Sequence, residues 1–280
     1  MIQGAVMVPH PPLILPEVGR GEEKIIADTT NAYLQAAQLV AELKPDTIVL
    51  ASPHSVMYRD YIHISPGRQA VGDMGMFRAP QVKFKVEYDS ELAAAISDLA
   101  AGSGLSAGME GETDPHLDHG TMVPLYFINK YWHDYKLVRI GLSMLRLQEH
   151  YRLGQLIQKA AAESGRRVVF VASGDLSHKL QSYGPYGFAE EGPEYDRRVM
   201  DACGSGRFDL LFDFSEDFCT RAAECGHRSF VMMAGALDGL SLSIKKLSHQ
   251  DVTGVGYGIC TYIVTGADET RRFLKKGRDQ

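Results

Sequence analysis

Short, unbroken apolar runs alternate along this chain with longer segments of helical spacing, as expected of buried strands interleaved with packed helices. Residues 2–8 (IQGAVMV) end at Pro9 and predict a strand that delivers His10 into a loop stiffened by Pro11 and Pro12. Residues 21–43 carry Ile25, Ile26, Leu34, Leu39, Val40 and Leu43 on overlapping faces and predict a helix. Pro45 and Asp46 punctuate it, and 46–52 (DTIVLAS) predicts a second buried strand with His54 just beyond its carboxyl end. Residues 61–64 and 81–88 alternate as exposed or edge strands, and the Gly-, Met- and Pro-containing stretch 66–80 between them reads as a loop bordering a pocket.

A helix over 90–101 leads into a Gly-rich acidic stretch ending in DPHLDHG, followed by a helical run, TMVPLYFINKY, broken near its start by Pro124. Strand 136–142, helix 148–164 and strand 167–172 repeat the alternation, and the last opens into SGDLSH. The remaining third predicts helices near 193–203, 207–213 and 215–222, a loop ECGH, an apolar helix 229–239, and strands 241–248 and 256–264. The pattern predicts one α/β domain, a mixed central sheet flanked by helices over residues 1–267, with 268–280 as a charged tail or linker.

The polar residues that interrupt this pattern carry the chemistry. His10, His54, His119, His178 and Glu224 all lie at junctions, where ligands gather beyond the carboxyl ends of strands in open α/β sheets. Two imidazoles and a carboxylate form a non-haem ferrous site with open positions. Prolines beside His10 and His54 fix those side chains at little entropic cost. Asp175 in SGDLSH reads either as a helix N-cap or as a partner orienting a histidine's second ring nitrogen. Glu224 and Cys225 are adjacent, so their side chains diverge and one metal takes only one of them. A hard carboxylate suits ferrous iron and favours Glu224; a thiolate favours zinc, copper(I) or a redox role through Cys225. His63, His133, His150 and His249 read as structural or surface residues, whereas His116 lies near enough to His119 to line the same mouth. A zinc hydrolase would use a similar ligand set, but the HExxH spacing is absent.

Composition narrows the partners. A net charge of -6 and a pI near 5.9 give no basic field for nucleic acid, and the apolar runs are too short to span a bilayer. Four cysteines without a CxxC pair or a secretory leader read as a reduced, cytoplasmic protein.

Taken together, VPHPP, ASPHS, DHGT, GDLSH and ECGH, in this order and over nearly the whole chain, resemble the class III extradiol ring-cleavage dioxygenases, the superfamily of the LigB catalytic subunit. The resemblance implies the LigB/Memo-like phosphorylase-type fold, an Fe(II) centre on His10, His54 and Glu224, and substrate binding and acid/base chemistry by His119 and His178. It implies a catecholic substrate and O2, cleavage of the ring beside its hydroxyls, and a homo-oligomer, commonly a dimer. GDLSH stands where many ring-cleaving members have GGLSH. The related Memo-like proteins share an aspartate there and carry a cysteine in place of the glutamate, which Cys225 matches. That branch implies zinc or another divalent metal, or a metal-binding or redox partner protein that opens no ring. Fusion of such domains to AMMECR1-like domains places a possible partner after the charged tail. A ring substituent bearing a carboxylate would call for a cation such as Arg78, Lys179 or Arg228.

Overall fold

The apolar runs form the central strands because each residue in them is buried on one face or the other. The structure, a computed structural model, describes residues 1–274. The strands are β1 (Ile2–Val8), β2 (Thr47–Ala51), β3 (Ile62–His63), β4 (Gln69–Met74), β5 (Ala79–Glu87), β6 (Ala107–Gly108), β7 (Lys136–Ile140), β8 (Val168–Ser173), β9 (Leu240–Gln250) and β10 (Tyr257–Ala267). The helices are α1 (Pro16–Gly19), α2 (Ala27–Leu43), α3 (Ser90–Gly102), α4 (His119–Ile128), α5 (Leu147–Glu163), α6 (Glu191–Ser205), α7 (Glu216–Ala222) and α8 (His227–Ala236).

Six strands form one sheet in the order β7-β2-β8-β1-β10-β9. The first four are parallel, and the β9–β10 hairpin closes the far edge antiparallel to β1. Side-chain alternation divides the core in two. Ala5, Met7, Val49, Ala51 and Phe170 pack against α3, α5, α6 and α8, whereas Val6, Val8, Ile48, Leu50 and Val171 pack against α2 and α4. Both faces are covered, so the inner parallel strands β1, β2 and β8 are almost continuously apolar rather than alternating with polar residues.

Three local predictions differ from the structure. Residues 69–74 are strand β4, paired antiparallel with β5. Gly72 and the exposed positions around it hide the strand from a pattern reading, and its register comes from β5. Pro124 does not break α4, which runs unbroken through it. Residues 268–274 are seated on the body of the domain: Glu269–Arg271 form a 3-10 turn, and Phe273 donates its N–H to Asp238 and packs near Phe208. The rest of the predicted tail lies outside the described residues.

Candidate metal centre

In sheet order β2, β8 and β1 are neighbours, and their carboxyl ends deliver His54, Asp175 and His10 to one place. His10 is fixed from several sides. Its backbone N–H donates to Asp175 Oδ1 at 2.8 Å, its Nδ1 lies 2.9 Å from Ser173 Oγ, and the preceding carbonyl of Pro9 accepts from Tyr33 Oη at 2.7 Å. Asp118 caps α4 by accepting the N–H of Thr121, and so presents His119 from the helix's first turn. Ser52 Oγ ties that cap to the end of β2 at 2.5 Å. Gly120 permits this approach, because any Cβ there would lie 2.4 Å from Ser52 Oγ.

The donor atoms converge on His10. Its Nε2 lies 3.0 Å from His54 Nε2 and 3.6 Å from Cys225 Sγ, with Asp175 Oδ2 at 3.9 Å. Two nitrogens on one tetrahedral ion, each about 2.0–2.1 Å from it, stand roughly 3.3 Å apart, and a nitrogen and a sulfur roughly 3.6 Å. The residues therefore fit a metal ion. Among the described residues, two sets of three have donor atoms within 4.8 Å of one another, His10 with His54 and His119, and His10 with Asp175 and Cys225. His10 is common to both.

Electrostatics favour a cation. Burial, reinforced by neighbouring histidines, holds His10 well below the ordinary histidine range and brings His119 to about 4, and burial lowers His54 against the opposing pull of Asp118 and Asp175. The imidazoles are therefore neutral and keep lone pairs for a ligand. Burial, with Asp175 nearby, pushes the Cys225 thiol well up, and burial raises Asp175 against the opposing pull of His178. A divalent ion would reverse this and favour the thiolate and carboxylate.

Glu224 lies elsewhere. Its Oε2 accepts the N–H of His227 at 2.6 Å, at the start of α8, and approaches Tyr195 Oη at 3.4 Å. The preference for Glu224 over Cys225 as third ligand is thus revised. Adjacent side chains diverge, and here the carboxylate turns to the helix N-terminus while the thiol turns to His10. The N-cap reading of Asp175 also fails, because no helix follows it before α6; its carboxylate instead receives His10's N–H. His178 is outside both donor sets. Its Nε2 lies 4.0 Å from Asp175 Oδ2, its ring meets Tyr186 edge-on, and its buried Nδ1 has no hydrogen-bond partner among the described residues.

A cleft of about 510 Å³ opens beside the histidines, lined by His54, His119, His116, Met76, Phe77 and Arg139 among others. Phe77 stands edge-on to His119 at 5.2 Å. Arg139, 1% exposed, is a cation that the sequence pattern concealed inside a strand. It donates to Ser65 Oγ and to the carbonyls of His116 and Asp114, between the carboxylates of Glu112 and Asp118. Arg228 faces a separate cavity behind Glu224. The other histidines are not all peripheral. His150 is fully buried and accepts the N–H of Ser143, and His249 lies on β9, 2.7 Å from Asp196.

A family model described as the catalytic LigB subunit of aromatic ring-opening dioxygenase matches residues 4–260. A protein of Clostridium acetobutylicum is 39% identical over 265 residues, covering 92% of this chain and 57% of its own length, so the chain spans little more than half of that relative. The 2-aminophenol 1,6-dioxygenase beta subunit of a Pseudomonas species is 26% identical over 95% of each chain. A MEMO1 family protein of Methanosarcina mazei is 27% identical over 79% of this chain and 78% of its own. The crystal structure of an uncharacterized Escherichia coli K12 protein shares the fold, with a TM-score of 0.58 at 16% identity over 93% of this chain and 99% of the other. With the family match running from Gly4 in the first strand to Cys260 in the last, and the histidine centre built between them, this chain belongs to the family of the catalytic LigB subunit of aromatic ring-opening dioxygenase.

Proposed function

We propose that the protein is a non-haem Fe(II)-dependent dioxygenase that opens a catechol-type aromatic ring with O2. The observation that carries this reading is the union of a neutral histidine centre with an open cleft walled by His54, His119 and Phe77, wide enough for one ring. His10 is the proposed ligand common to both donor sets, with His54 from one set and Cys225 from the other as its proposed partners, which the ion would draw together, and Asp175 beside them. Ferrous iron held there supplies the electron transfer between ring and oxygen that ring opening requires. His119, at the cleft wall, orients the bound hydroxyl. His178 is the proton carrier: its Nδ1, without a hydrogen-bond partner among the described residues, takes a proton from a substrate hydroxyl. Phe77, in the cleft wall beside His119, offers the ring an apolar face.

The test is anaerobic loading with Fe(II), followed by oxygen uptake with catechol and with 2-aminophenol. Uptake with a ring-opened product is expected, and His178→Ala should bind metal normally yet lose roughly 10²- to 10⁴-fold in rate. The placement of Cys225 against His10, where a carboxylate ligand was expected, favours a second reading, a metal-binding protein of the MEMO1 kind that opens no ring. Stoichiometric metal with no oxygen uptake would establish that reading instead.

A further inference from the structure

Pro124 sits within α4 and has no N–H, so the carbonyl of Gly120, four residues earlier, lacks its helical donor. Ser173 Oγ lies 2.5 Å from that oxygen. A carbonyl only accepts and a hydroxyl has one proton, so the Ser173 proton is committed to Gly120. Toward His10 Nδ1, 2.9 Å away, Ser173 Oγ is left only its lone pairs, and Nδ1 must carry the hydrogen. A neutral imidazole has a single N–H, so Nε2, which faces His54 and Cys225, is bare. Ser173 and His10 are buried at 0% and 1% exposure, so water does not compete for these bonds.

We infer that Ser173, held by the carbonyl that Pro124 leaves free, is a positioning residue that fixes the Nδ1–H tautomer of His10 and aims an unprotonated Nε2 at the metal centre. The tautomer follows from hydrogen bonding alone; its consequence for metal affinity rests on the ligand set proposed above. The burial that keeps His10 from protonating supports the same state. The device joins a proline in a helix to a ligand more than a hundred residues earlier in the chain, through the last residue of β8.

The test is long-range proton–nitrogen correlation on metal-free, ¹⁵N-labelled protein, with the His10 signals assigned by their loss in His10→Asn. Wild-type protein should show a proton-bearing Nδ1 and a pyridine-like Nε2. In Ser173→Ala, Nδ1 loses its acceptor and the proton should move to Nε2, where His54 can receive it. Zinc affinity, measured by competition with a chelator, should then fall about 10- to 100-fold, the usual cost of losing a hydrogen bond behind a metal-bound histidine. Ser173→Thr keeps the hydroxyl and should keep both tautomer and affinity. A proton on Nε2 of wild-type His10 overturns the inference without any variant, as does an unchanged tautomer in Ser173→Ala. A shifted tautomer with unchanged zinc affinity would leave Ser173 in its role and overturn His10 as a ligand.

Discussion

At residue 224 the chain commits its acidic side chain to a helix, while its neighbour faces His10. The Glu224 carboxylate meets the N–H of His227 in the first turn of α8, where negative charge is favoured, while Cys225 Sγ accepts the N–H of Asp175 at 3.3 Å and reaches His10. Exchanging the two residues' chemistry should therefore separate their roles. Cys225→Ser should lower metal affinity by more than about tenfold, because a hydroxyl is a poorer ligand than a thiolate for a borderline ion. Glu224→Gln should retain metal and lose about 0.5–1 kcal/mol of stability, the worth of a charge at a helix N-terminus. Metal analysis by mass spectrometry with parallel thermal melts distinguishes the cases. Metal lost from Glu224→Gln but not from Cys225→Ser would return the carboxylate to the ligand set.

Among the elements, the loop after β8 and the loop before α8 cross most closely at a pair of glycines. A Cβ on Gly174 would lie 2.2 Å from the Cα of Gly226, a backbone atom that cannot step aside. This close approach brings Asp175 and Cys225 within reach of each other. Gly174→Ala should push the loops apart at a cost of about 1–3 kcal/mol, the usual penalty for overpacking, and should weaken metal binding although it removes no ligand. Circular dichroism should show helix and sheet content retained. Unchanged metal affinity in a folded Gly174→Ala protein would show that the contact does not set the site's geometry. The hydroxyl of Ser173, immediately before Gly174, acts at the same crossing, so the end of β8 and the turn after it together orient His10 and seat Cys225.

For the whole molecule, buried histidines make stability depend on pH. His150 accepts from Ser143 N–H and lies against the carbonyl of Arg146, and His227 bonds the carbonyl of Leu211 and Tyr195 Oη. Burial holds each at about 4, below the ordinary 6.5. Between those values the unfolded chain binds protons that the folded protein refuses. Stability is therefore full above about pH 6.5, declines as pH falls through the window, and levels off near pH 4. Each histidine contributes about 2 kcal/mol of loss between roughly pH 7.5 and pH 5. Urea unfolding of His150→Gln, which cannot titrate, should show that share of the slope removed; a slope equal to the parent's would place the pH dependence in other groups.

The order and kind of the main elements were legible in the sequence, because strands buried on both faces must be apolar throughout and helices packed on one face must repeat every three or four residues. His10, His54 and Asp175 could be placed together from the sequence for a related reason: each follows the end of a buried parallel strand by two or three residues. No local pattern could choose between Glu224 and Cys225, since the sequence shows that neighbours diverge but not which one faces the sheet. Only the packing of α8 against β8 decided that. Strand β4 was hidden because its pairing energy comes from β5 rather than from its own side chains. Arg139 was hidden because its charge is matched by Glu112 and Asp118, partners more than twenty residues away that meet it only across the fold. Pro124 reads locally as a helix breaker. The tertiary structure turned its missing donor into an acceptor for Ser173, because a free carbonyl inside a core must find a hydrogen from another element.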